Sequence, residues 1–127
     1  MICHLSPLQF LLVHLGSVTG DPSLGTAYKP EVQNFLKGWI DGSNVIYTPE
    51  GLAWRSEWGS LRYTGNVAFL ALLAAKEGIL YDNANGDRYH DWAKTQIDYM
   101  LGDNPNGFSY QVGYGTNFPK QPHHKAA

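Results

Sequence analysis

The sequence predicts an all-α protein, and three observations carry the prediction. Four stretches place apolar residues at helical spacing. No stretch alternates convincingly in the manner of a strand. The connections are long and rich in Gly, Ser, Asn and Pro.

The first helix is expected over residues 7–15, with Leu8, Leu11, Leu12 and Leu15 on one face. Ser6 can cap it, Pro7 suits the first helical position and Gly16 can end it. Residues 16–27 read as a connection. A second helix runs from about Pro30 to Ile40, with Val32, Phe35, Leu36 and Trp39 on one stripe. Residues 42–51 are another loop.

Residues 52–63, LAWRSEWGSLRY, gather Trp54, Trp58 and Tyr63 around Arg55, Glu57 and Arg62. Ser60 can cap a third helix reaching about Gly78. Its VAFLALLAA run is apolar almost all round and should be buried over most of its surface. If Trp58 to Arg62 follows the helical path, the two side chains share a face at i, i+4 and can grip a flat polar ligand. The plainer alternative is an interior Trp with a surface pair of arginines. Residues 81–86, YDNANG, form a turn cluster, and Asp87 can cap a fourth helix to Leu101. Tyr89, Trp92, Ala93, Ile97, Met100 and Leu101 give that helix its apolar face. Gly102 is placed to end it, and Asn104-Pro105 prevents continuation.

Residues 109–125, SYQVGYGTNFPKQPHHK, fit no hydrophobic period and read as a long ordered loop against the helical body. Tyr110, Tyr114 and Phe118 carry apolar area that ought to be buried. Loops of this length are commonly functional, so the segment is a site candidate.

The chain has 127 residues, 43% hydrophobic and 16% charged, which suits one globular domain. Its formal charge of −2 and lack of a Lys/Arg cluster give no electrostatic case for nucleic acid. No apolar run approaches the ~20 residues of a membrane span. The start, MICHLSPLQFLLVHLGSV, lacks the positive segment of a signal peptide and is interrupted by Pro7 and His14. Cys3 is the single cysteine, so no internal disulfide forms. One apolar helix within so thin a shell, and a chain stopping just after its most loaded loop, suggest part of a larger protein.

Metal chemistry has little support. His123 and His124 are adjacent, while His90, His4, His14 and Cys3 lie far away in sequence, and zinc needs three or four ligands at closed spacing. No strand–turn–helix nucleophile elbow is present. Glu50, Glu57 and Asp103 are the acid/base candidates, each read first as a surface charge, cap or loop brace. The residues alone reach a helical domain with an aromatic, cationic groove.

Three blocks carry a resemblance: TPEGLAWRSEWGSLRYTGNVAFL, QIDYMLGDNPNGFSYQVGYG and NFPKQPHHK. Over residues 8–125 the chain resembles glycoside hydrolase family 9, the inverting cellulases. Ser109, Val112, Gly115, Asn117, Pro122 and His123 stand where the family's histidine signature wants them. Gln111 replaces a usual apolar residue and Lys125 replaces the usual arginine.

The resemblance implies a partial (α/α)6 six-hairpin barrel with long loops on the cleft side, residues 1–127 being an incomplete catalytic domain. It implies β-1,4-glucan as partner, no cofactor or metal, a monomer, and a secreted parent enzyme. Trp58 matches a Trp that stacks on a glucosyl ring, and Arg62 and Tyr63 match neighbours lining the cleft. His123 matches the histidine that hydrogen-bonds the sugar beside the cleaved bond, the one catalytic assignment here, and Lys125 contacts the same region. The family's catalytic Asp and Glu fall at neither Glu57 nor Asp103, so this chain is expected to be inactive alone. A non-catalytic glucan-binding protein and a helical interaction module remain the alternatives.

Overall fold

The computed structural model describes residues 18–79 and 86–121. Among them the chain forms helix α1 (Pro22–Ile40), strands β1 (Ile46–Tyr47) and β2 (Ala53–Trp54), and helices α2 (Ser60–Lys76) and α3 (Asp87–Leu101). The helix expected over residues 7–15 and most of the turn cluster at 81–86 lie outside the described residues.

The helix α1 corrects two expectations. It begins at Pro22, so residues 22–27 are not connection, and Pro30 sits inside it rather than at its start. Asp21 caps it, its carboxylate accepting the Ser23 N–H at 2.9 Å, and Pro22 fills the first turn, where no N–H partner exists anyway. The Asp-Pro-Ser sequence is thus the start signal, and Pro30 is accommodated within the helix at the loss of one interior hydrogen bond. At the other end Asp41 accepts Lys37 at 2.6 Å and also pairs with Arg88 of α3.

The expected absence of strands is also corrected. Tyr47 pairs with Ala53 and Ile46 with Trp54 in an antiparallel hairpin. Thr48 closes its turn: its carbonyl accepts from Gly51 and its Oγ1 accepts the Leu52 N–H at 3.0 Å. Two-residue strands are too short to show alternation, so no period marks them.

The α2 and α3 helices make the main interhelical contact. Thr64, Val67, Ala68, Ala71 and Ala74 line the buried face of α2 at i, i+3, i+4 spacing, and the small side chains let the helices approach closely. Tyr89, Trp92 and Ala93 face them from α3, and Val32, Leu36 and Trp39 of α1 complete the core. The pair is antiparallel. Ala75, late in α2, lies 3.3 Å from where a Cβ on Gly86 would stand, just before α3. Thr64, early in α2, and Gln96, late in α3, meet at the same residue, Ala53. Gly86 (φ 88) and Gly59 (φ 61), not Asp87 and Ser60, are the capping positions. The near-complete burial expected of α2 is also corrected, since Phe69 is 64% exposed and Leu72 is exposed as well.

One aromatic hydroxyl ties α1, β1 and α3 together. The Tyr47 O–H donates to the Trp39 carbonyl at 2.7 Å and accepts the Trp92 Nε1–H at 2.6 Å. Burial raises the Tyr47 pKa; the Trp92 hydrogen bond opposes this and the Asp41 charge adds to it. A raised folded pKa means stability that is complete below the unfolded value of 10.0 and lost as pH climbs from there through the folded value. Chemical denaturation of Tyr47→Phe should therefore cost about 1–3 kcal/mol at neutral pH, because two buried partners lose their bonds. The variant's stability should then fall less steeply than wild type above about pH 10.

Candidate functional site

The segment between β2 and α2 carries Trp58. Its two ends are held by buried polar side chains. Gln96, 2% exposed, accepts the Ala53 N–H on its Oε1 at 2.8 Å and donates from Nε2 to the Gly51 carbonyl at 3.0 Å. Thr64, fully buried, turns its hydroxyl to the Ala53 carbonyl at 2.5 Å, with the Ser60 carbonyl at 3.2 Å. The chain between Ala53 and Ser60 thus leaves and returns to one hydroxyl.

Trp58 stands on that excursion with 70% of its surface exposed, which overturns the interior-Trp alternative. The shared helical face is corrected too, because α2 starts at Ser60 and Trp58 precedes it. Gly59 makes the corner with φ 61, and a Cβ there would sit 3.1 Å from Arg62 Nε. Arg62 lies over its neighbour, with its guanidinium 4.7 Å from the Tyr63 ring centroid and Nη2 donating to the Tyr63 hydroxyl at 2.9 Å. The arrangement brings an exposed indole close in sequence to a guanidinium held on a phenol.

Of the loop expected over residues 109–125, residues 109–121 are described, and together with residues 102–108 they are built on asparagines and a serine. Asn104 donates from Nδ2 to the carbonyls of Tyr99 and Phe108, both at 2.8 Å, and accepts the Asn106 and Phe108 N–H groups on Oδ1 at 3.2 Å. Asn117 donates to the carbonyls of Gly107 (3.1 Å) and Asn106 (3.3 Å), and its own carbonyl accepts the Ser109 N–H at 2.8 Å. Tyr110 stacks on Tyr99 and meets the Phe108 ring edge-on. The expected burial of Tyr110 and Tyr114 is not found, since each is about half exposed. Lys120 rides on the Phe118 ring at 3.5 Å and donates to the Thr116 carbonyl at 3.1 Å.

The antiparallel pairing puts the start of α2 and the end of α3 at one end of the helical pair, so Trp58, Arg62 and Tyr63 share that end with the loop's root. His123, His124 and Lys125 lie outside the described residues, as do Cys3, His4 and His14. Glu50, Glu57 and Asp103 are exposed. The described residues hold no group of three or more His, Cys, Asp or Glu able to bind a metal ion. Thr64 and Gln96 escaped sequence reasoning, although Gln96 falls on the apolar stripe of α3 beside Trp92 and Ala93, where a polar residue signals a buried hydrogen bond.

The sequence profile described as Glycosyl hydrolase family 9 matches residues 5–127. The chain is 52% identical over 83 residues to Endoglucanase A of Bacillus pumilus, covering 65% of this chain and 12% of that protein. It is 41% identical over 102 residues to an endoglucanase of Dictyostelium discoideum, covering 80% and 13%. Among solved structures, endoglucanase CelQ of Clostridium thermocellum, complexed with cellobiose and cellotriose, aligns at 37% identity with a TM-score of 0.69. That alignment covers 94% of this chain and 20% of CelQ, so the described helices are part of a six-hairpin (α/α)6 barrel.

Asn104 uses all four of its side-chain hydrogen-bonding capacities within the loop root. Asn104→Ala should raise hydrogen exchange at the Asn106 and Phe108 amides at least tenfold, since opening by about 1.4 kcal/mol is a factor of ten. Amides inside α2 should keep their protection.

Proposed function

The chain belongs to glycosyl hydrolase family 9, and we propose that it forms the glucan-gripping part of an endoglucanase that cleaves internal β-1,4 bonds of cellulose. It spans 12–13% of the Bacillus and Dictyostelium endoglucanases, so the activity of a whole enzyme is inferred here from kinship. The observation that carries the reading is the exposed Trp58 ring, close in sequence to the Arg62–Tyr63 pair at the same end of the helices. An indole face suits the axial C–H face of a glucosyl ring, and the guanidinium and phenol offer directional contacts to its hydroxyls. CelQ, with its bound cellobiose and cellotriose, supports a glucan ligand for this surface.

In this reading His123 completes the site, hydrogen-bonding the sugar next to the cleaved bond. Lys125 adds a single ammonium where an arginine would give a bidentate fork, so its contact is less directional. These groups favour reaction to the extent that they hold the distorted sugar better than the relaxed one. Bond cleavage with inversion needs one carboxylate to deprotonate water and another acid to protonate the leaving oxygen. Neither Glu57 nor Asp103 stands at those positions in the family pattern. The chain therefore binds and orients sugar, the remainder of the barrel supplies proton transfer, and the parent enzyme acts outside the cell.

Two measurements test this. The 127-residue chain should bind cellotetraose in a calorimeter, and Trp58→Ala should weaken binding roughly tenfold, the size of a lost aromatic stack. The same chain should release no reducing ends from carboxymethylcellulose above a blank. Turnover would refute the division of labour, and sugar binding indifferent to Trp58 would refute the site.

A further inference from the structure

We propose that Thr64 and Gln96 are positioning residues for Trp58, together fixing where the indole stands before any ligand arrives. The inference rests on the glucan-binding reading for its consequence, but its geometric content stands without a ligand. Neither side chain faces the open site: both are buried in the helical pair, on different helices. Each is a polar group in apolar surroundings, costly to bury unless its bonds are made. Both spend those bonds on the backbone that leads into Trp58.

The division between them is specific. Gln96 presents donor and acceptor together, and so fixes the Gly51 carbonyl and the Ala53 N–H in one geometry. Thr64 has one hydroxyl proton, nearer the Ala53 carbonyl at 2.5 Å than the Ser60 carbonyl at 3.2 Å. Ala53, in β2 just before the excursion, has both its N–H and its C=O bonded to buried side chains, and Ser60 is the first residue of α2. One hydroxyl therefore gathers the two roots of the loop. Gly59 adds a left-handed corner directly after Trp58. A side chain whose loop roots are held at both ends loses less freedom on binding, which favours affinity.

The test uses the whole 127-residue chain labelled with 5-fluorotryptophan. It has four Trp signals, of which Trp58 is assigned by Trp58→Phe. Thr64→Val removes the hydroxyl at nearly constant volume, and Thr64→Ser restores it. Without ligand, Thr64→Val should shift and broaden the Trp58 fluorine signal, while Thr64→Ser should return it toward wild type. Gln96→Met, which keeps length but no hydrogen bonds, should act like Thr64→Val. Val32→Ala in α1 serves as a control for general loss of stability and should leave the Trp58 signal in place. With cellotetraose, Thr64→Val should weaken binding roughly tenfold in the wild-type background and hardly at all when Trp58 is already alanine. An unchanged Trp58 signal in both Thr64→Val and Gln96→Met overturns the proposal, as does a shift equal to that of Val32→Ala. A responsive signal in a chain that binds no cellotetraose upholds the positioning role and refutes only the glucan reading. If Thr64→Val does not fold, Gln96→Met and Thr64→Ser decide the matter by the same signal.

Discussion

The peptide group of Ala53 is the point on which the described structure turns. It lies fully buried between two helices, and a strand partner, a glutamine and a threonine all converge on it. A buried amide or carbonyl without a partner costs about 1–3 kcal/mol, so a two-residue hairpin could not sit in this interior unaided. Its own ladder is too short to hold it. Polar side chains at Thr64 and Gln96 therefore let a non-helical segment enter a helical core. They also decide the direction in which that segment emerges.

The rest of the packing is arranged to let this happen. Ala68, Ala71 and Ala74 keep α2 and α3 close, whereas larger residues in their place would push the helices apart and separate Thr64 from Gln96. Tyr47 fastens the other strand, its hydroxyl shared between the Trp39 carbonyl and the Trp92 indole N–H. Arg88 reaches Asp41 at the foot of α1, an exposed pair that adds orientation more than energy. Apolar contact supplies cohesion, and a few buried polar groups choose the register.

Helical periodicity carried most of the fold. The end of α1 and both ends of α3 fall within a residue of expectation, because Leu36–Trp39 and Tyr89–Ala93 mark buried faces plainly. The start of α1 was hidden because Pro30 breaks helices locally, while the long helix around it tolerates one missing bond. The hairpin was hidden because its order comes from partners far along the chain: Gln96 stands forty-three residues from Ala53. The exposure of Phe69 likewise depends on which neighbours surround α2, and a local apolar count cannot see neighbours. For the candidate site, the resemblance pointed to Trp58, Arg62 and Tyr63, and the structure adds the exposure of Trp58 and the Arg62–Tyr63 contact. The way Trp58 is held was not legible, since Thr64 and Gln96 act through backbone contacts that no motif spacing encodes.

That holding also bears on whether the aromatic end is a surface made for a ligand or merely an exposed one. Long cationic side chains on a protein surface ordinarily sample many rotamers, and ordering them opposes binding. Here Arg62 lies over Tyr63 and donates to its hydroxyl, and Lys120 sits on Phe118 while bonding the Thr116 carbonyl. Each contact is modest, about 0.5–1 kcal/mol for an exposed cation over a ring. Their effect is to restrict the cation before anything binds. Trp58 is restricted in the same sense by the closed roots of its loop. A guanidinium restricted in advance gives up less freedom on binding, whatever ligand this end of the helices takes.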